Sequence, residues 1–137
     1  MIVLDTNVVS EALRPTPDER VLAWLNDQIA ETLYLTSVTI AEMLYGVAAM
    51  PDGARKSRVG HAIGQVRALF TGRVLVFDES AAAAYADLAV RARRSGHGFP
   101  LPDGYIAAIA AVSGFAVATR DHAPFEAAGL RVIDPWR

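Results

Sequence analysis

Short apolar runs alternate along this chain with longer stretches in which apolar residues recur every three or four positions. The runs are Ile2–Leu4, Leu33–Leu35, Val74–Phe77, Ala116–Ala118 and Arg131–Ile133, and each predicts a short strand. Helical patterns lie between them. Pro17-Asp18-Glu19 opens one, with an early proline and acids suited to a positive helix terminus, and Val21, Leu22, Trp24, Leu25 and Ile29 form its apolar stripe. Ser37 or Thr39 is expected to cap the next, which carries Ile40, Met43, Leu44 and Val47 on one side. Another spans about 54–69, with Val59, Ile63, Val66 and Leu69 at helical spacing. A fourth runs from about Ser80 to Arg94 and ends in Arg91, Arg93 and Arg94, which suit the negative end of a helix dipole. A fifth starts near Asp103, and a short one near Pro124 stops at Gly129. Strands alternating with helices predict an α/β fold: a mainly parallel, five-stranded sheet flanked by helices, as a single domain over 1–137.

Composition narrows the function classes. At 53% hydrophobic and 20% charged residues the chain is not intrinsically disordered. The absence of cysteine excludes disulfide scaffolds, cysteine–zinc sites and cysteine nucleophiles. The longest apolar stretch, Tyr105 to Ala118, is too short for a bilayer crossing and is broken by Ser113 and Gly114. The start, Met1-Ile2-Val3-Leu4-Asp5, lacks the basic region of a signal peptide, so a soluble cytoplasmic protein without membrane contact is expected. Thirteen basic against 15 acidic residues give a net charge of −2, which alone argues weakly against nucleic-acid binding. Acids committed to holding cations would leave the outer surface more positive than that sum. Lys56 is the only lysine; a GC-rich coding sequence accounts for the arginine bias better than phosphate contacts do.

In open parallel sheets ligands bind beyond the carboxyl ends of the strands, which directs attention to acids placed there. Asp5 follows Ile2-Val3-Leu4 directly, where a buried strand gives way to a loop, and Asp121 stands at the end of the run from Ala116 through Arg120. Asp103 opens a helix, and Glu42 lies about one turn into the helix after the second strand. Singly, each acid has a plain structural reading as a cap, a turn residue or an exposed helix position. Four acids aimed at one sheet edge are harder to read that way. Carboxylates within about 4–6 Å of one another share protons or bind cations. Oxygen-only ligation, with no histidine in zinc-like spacing, selects Mg²⁺ or Mn²⁺. His61, His97 and His122 read as surface or loop residues, and only His122, beside Asp121, is a candidate for a site role. Metal held by carboxylates activates water and stabilises charge on a phosphoryl oxygen, so metal-assisted phosphodiester hydrolysis is the expected reaction class.

Four blocks carry a resemblance across essentially the whole chain. Met1-Ile2-Val3-Leu4-Asp5-Thr6-Asn7-Val8-Val9-Ser10-Glu11, Ser37-Val38-Thr39-Ile40-Ala41-Glu42-Met43-Leu44-Tyr45-Gly46, Asp103-Gly104-Tyr105-Ile106-Ala107-Ala108 and Ala118-Thr119-Arg120-Asp121 resemble the signature blocks of PIN-domain ribonucleases. Within that family the chain looks most like VapC-type toxins of type II toxin–antitoxin modules, nearest the FitB-like branch, whose ending Asp134-Pro135-Trp136 also resembles. The resemblance implies that Asp5, Asp103 and Asp121 face metal, that Glu42 acts directly or through water, and that Thr119 positions water or an acid. It implies that Thr6 and Asn7 shape the loop behind Asp5. Many members place the fourth acid three residues after the Thr-Arg pair's successor; here that position is Pro124, so Asp121 itself must supply the carboxylate. The implied partners are an RNA substrate, a cognate small DNA-binding antitoxin, DNA only through that antitoxin, and a second copy in a homodimer. Trp24, Leu25, Leu44 and Tyr45 are candidates for the antitoxin surface, and an antitoxin arginine is expected to reach toward the acids and displace metal.

Other readings fit less well. A haloacid-dehalogenase phosphatase also starts with an aspartate after its first strand but needs a second one two residues later, where this chain has Asn7. A receiver domain lacks its lysine after a late strand. A domain that keeps the acids yet acts as a catalytically weak, partner-binding subunit of a DNA-bound antitoxin complex is the stronger alternative.

Overall fold

In the computed structural model, which describes residues 1–137, the strands are β1 (Ile2–Leu4), β2 (Leu33–Thr36), β3 (Val74–Leu75), β4 (Ala116–Ala118) and β5 (Val132–Ile133). The helices are α1 (Thr6–Ala12), α2 (Glu19–Asp27), α3 (Ser37–Ala48), α4 (Ala54–Leu69), α5 (Glu79–Arg94), α6 (Leu101–Ser113) and α7 (His122–Ala127), with one 3₁₀ turn at Ala30–Thr32. All strand pairings are parallel, in the order β3-β2-β1-β4-β5. Strand order therefore reverses at β1: β2 and β3 lie on one side of it, β4 and β5 on the other. The crevice at such a reversal is where open α/β sheets bind ligands.

Alternation along β1 explains why its three residues are all apolar. Ile2 and Leu4 point to one face and join Leu33, Leu35, Val8, Val9, Val21, Met43 and Ile63. Val3 points to the other and joins Val117, Leu88, Ile106 and Phe125. Helices α1–α4 cover the first face and α5–α7 the second, so the strands are buried on both sides. No helix is long and apolar enough to cross a membrane.

Several boundaries differ from the sequence reading. Asp5 does not lead into a loop: α1 starts at once, and Asp5 is its N-cap, accepting from the Thr6 backbone N–H at 2.8 Å. The cap of α3 is Thr36, whose hydroxyl accepts from the Thr39 N–H at 3.0 Å, and not Ser37 or Thr39. The expected strand over Val74–Phe77 stops at Leu75. Helix α6 starts at Leu101 with Pro102 in its first turn, which places Asp103 inside that turn and leaves it without a capping bond. Trp24 and Leu25 pack against the core, whereas Leu44 and Tyr45 on α3 are exposed. His122 is no surface residue; it is partly buried, with Nε2 2.6 Å from Asp134 Oδ2.

Candidate active site

The reversal at β1 places Asp5 and Thr119 side by side. The Asp5 N–H donates to the Ala118 carbonyl at 3.0 Å, extending the ladder one residue past β1, and the Thr119 N–H donates to Ile133 at 2.9 Å. The Thr119 hydroxyl then donates to Asp5 Oδ2 at 2.7 Å. It accepts in turn from Asn7 Nδ2 at 3.2 Å and from the Asp121 backbone N–H at 3.0 Å. One fully buried hydroxyl thus ties β1, α1 and the start of α7 together.

Glu42 is fixed from the opposite side. The Thr6 hydroxyl donates to Glu42 Oε1 at 2.7 Å and lies 3.0 Å from the Thr39 hydroxyl, which also meets the hydroxyl of the cap Thr36 at 3.4 Å. Thr6 therefore bridges two acids, its backbone N–H on Asp5 and its hydroxyl on Glu42. The sequence reading named Thr6 only as a loop-shaping residue and Thr39 only as a cap. The available signal was a threonine where β1, β2 and β4 each give way to a helix, where a short hydroxyl can reach a neighbouring junction.

Asp103 arrives from α6, and a glycine lets it do so. A Cβ on Gly104 would lie 2.7 Å from Tyr85 Cε2 on α5, so the close approach of α6 to α5 depends on its absence. Tyr105 packs between Phe77, tilted at 4.5 Å, and Tyr85, edge to face at 5.0 Å, fixing the rotation of that turn.

The four acids act on one another electrostatically. Asp5 is raised from 3.8 to about 6, chiefly by burial, with hydrogen bonds from Thr119 and Thr6 opposing and the charges of Glu42 and Asp121 adding. Asp103 is raised to about 7, again first by burial and then by Asp5, Glu42 and Asp121, although it stands in the first turn of a helix where the dipole favours an acid. The ion pairs of the chain join Arg14 to Glu11, Arg20 to Asp18, Lys56 to Asp52, and both His122 and Arg137 to Asp134; none involves these four. No three acid or histidine side chains stand close enough to form a ready coordination shell. The donor set nevertheless fits a hard divalent cation. It is all oxygen, it carries unneutralised charge, and the buried Asn7 Oδ1 beside Thr119 lacks any partner. Of the residues singled out in the sequence, the structure brings Asp5, Thr119, Glu42, Asp103 and Asp121 to one edge, and leaves His61 and His97 exposed elsewhere.

Known proteins match this chain over most or all of its length. The PIN domain family model matches residues 2–130. The chain is 53% identical over 137 residues to "VapC ribonuclease Y4jK" of Sinorhizobium fredii, covering 99% of this chain and 98% of that protein. It is 47% identical over 137 residues to "Toxin FitB" of Neisseria gonorrhoeae, covering 99% of each. The solved structure of FitAB bound to an IR36 DNA fragment superposes on it with a TM-score of 0.95 at 47% identity, over 100% of this chain and 96% of that one. The chain belongs to the PIN-domain family.

Proposed function

We propose that this protein is a metal-dependent endoribonuclease that hydrolyses RNA phosphodiester bonds, and that it is the toxin of a type II toxin–antitoxin module. The observation that carries the reading is the convergence of Asp5, Glu42, Asp103 and Asp121 at the β1/β4 crevice with no basic side chain neutralising them. The similarity to a VapC ribonuclease and to toxin FitB supports it.

Mg²⁺ or Mn²⁺ would be held by Asp5, Asp103 and Asp121, with Glu42 direct or through water, and when bound it supplies a polarised water and charge stabilisation at a phosphoryl oxygen. Everything else falls to the chain. Thr119 fixes the Asp5 carboxylate by its hydroxyl and the Asp121 main chain by its lone pairs. Thr6 holds Glu42 by Oε1, which leaves Oε2 free to orient the attacking water and accept its proton. Burial around Asp5 lowers the local dielectric and strengthens each of these interactions.

The antitoxin is a small DNA-binding protein, through which alone the complex meets DNA, and the exposed Leu44 and Tyr45 are apolar surface for it or for a second copy of this chain. Resemblance to the DNA-bound FitAB complex favours the alternative that the chain serves chiefly as a partner-binding subunit. Cleavage of RNA with Mg²⁺ or Mn²⁺, its loss in EDTA and its loss in Asp5→Asn would support the enzyme. RNA left intact by the wild type with either metal would favour the binding subunit.

A further inference from the structure

We propose that Arg120 binds a phosphodiester of the RNA strand beside the acid cluster, held in position by Trp136; the proposal rests on the ribonuclease reading above. Arg120 stands between Thr119 and Asp121 and is the only arginine or lysine next in the chain to any of the four acids. An exposed arginine so placed has a carboxylate within easy reach, yet it forms no ion pair with one. Of the other arginines, Arg14, Arg20 and Arg137 pair with acids, and Arg73 and Arg91 donate to backbone carbonyls. Arg55, Arg58, Arg67, Arg93, Arg94 and Arg131 are also unpaired, but none of them is next in the chain to one of the four acids.

Arg120 instead lays its guanidinium over the Trp136 ring, 4.3 Å from the centroid. Stacking uses the face of the group and leaves its N–H edge, five donors in a fixed plane, available to an outside acceptor. The platform is itself rigid. Trp136 is 6% exposed, and its backbone N–H donates to Asp134 Oδ1 at 2.9 Å. The other oxygen of Asp134 meets His122 on α7, the helix that begins directly after Asp121. The chain's last residues are thereby built into a brace that orients one unpaired cation next in the chain to Asp121.

A phosphodiester is the acceptor that such a placement suits. Four carboxylates repel an RNA strand, and a cation bound among them offsets that repulsion only at the reacting phosphate. A neighbouring phosphate needs its own donor, and a guanidinium fork matches two non-bridging oxygens. The contact adds one released counterion, so it weakens with salt.

The test compares binding of an end-labelled single-stranded RNA to Asp5→Asn and to Asp5→Asn/Arg120→Ala protein, by fluorescence anisotropy from about 0.05 to about 1 M salt. Loss of one phosphate contact is expected to weaken binding roughly fivefold near 0.1 M, to vanish near 1 M, and to lower the log–log salt slope by about 0.7. Arg120→Lys, which keeps the charge, should restore the slope. An unchanged slope with a lowered melting temperature would assign Arg120 to bracing the chain end and overturn the proposal while RNA cleavage by the wild type still stands. If the wild type cuts no RNA and Asp5→Asn binds none, the ribonuclease reading fails and the proposal fails with it.

Discussion

Helix α1 buries an acid at each end and treats the two in opposite ways. At its C-terminal end Glu11, 6% exposed, accepts from Arg14 Nη1 at 3.3 Å and from the Asp18 N–H at 3.4 Å, which stitches α1 to the start of α2. At its N-terminal end Asp5, 2% exposed, has two hydrogen-bond donors but no cation, and its carboxyl sits at about 6. A buried carboxylate with a partner is an element of structure; one without carries a standing cost. Under the proposed function, a bound cation would remove that cost. The difference between the two ends separates architecture from function within a single seven-residue helix.

The largest effect expected from breaking this contrast is on activity. Asp5→Asn should reduce RNA hydrolysis below detection, while Glu11→Ala should leave the rate per folded molecule unchanged; matched turnover assays at saturating RNA would show it. Second in size is Thr119→Val, which removes the hydroxyl that orients Asp5 and should lower activity or metal affinity about 10–100-fold, with near-wild-type secondary structure by circular dichroism.

Stability sharpens the same comparison. With metal removed, the raised Asp5 and Asp103 carboxyls make the folded state hold more protons than the unfolded state between about pH 4 and about 6 for Asp5, and between about 4 and about 7 for Asp103. Stability of the metal-free protein should therefore rise as pH falls from above 7 toward 4. For Asp5 the shift amounts to about 3 kcal/mol. Below pH 4 the trend reverses, because Asp18, lowered to about 2 by its hydrogen bonds with Arg20, takes up its proton. Asp5→Asn removes that cost at pH 7 but mispairs its amide, since the Thr119 hydroxyl already accepts from Asn7 and Asp121. A mispaired buried amide costs about 1–3 kcal/mol, so the metal-free variant should melt at or slightly above the wild type. A melting temperature far below the wild type in EDTA would make Asp5 primarily a structural cap.

Mn²⁺ at about 100 times its dissociation constant should stabilise the wild type and Glu11→Ala by about 2.7 kcal/mol and leave Asp5→Asn unmoved. The smallest effect belongs to Glu11→Ala, which loses about 1–2 kcal/mol by stranding the Asp18 N–H and releasing Arg14. Calorimetry of the three proteins with and without metal would place both values on one scale.

Much of this was legible in one dimension. The strands at Ile2–Leu4 and Ala116–Ala118 were named to the residue, because both are buried on two faces and read as unbroken apolar runs. The helix at 54–69 was equally plain, since its apolar residues recur at helical spacing between polar ones. Helix α1 was not, because Thr6-Asn7-Val8-Val9 carries β-branched residues and little helical periodicity; it forms because Asp5 caps it and Val8 and Val9 find the core. His122 was misread for a related reason: its partner, Asp134, lies twelve positions away.

By itself the sequence determined the residue types that chemistry requires: acids after strands and at the start of a helix, no soft ligand, and blocks that resemble one family in order. Local patterns suffice for that, because burial on both faces and helical spacing are properties of neighbours in the chain. Tertiary structure alone decided which acids stay uncompensated. Thr6 reaches Glu42 across 36 positions and Thr119 reaches Asp5 across 114, so the hydroxyls that aim the carboxylates become visible only once parallel pairing sets β2 on one side of β1 and β4 on the other. The charge state of Asp5 follows from the same event, because desolvation and the field of Glu42 and Asp121, both remote in sequence, act through space and not along the chain.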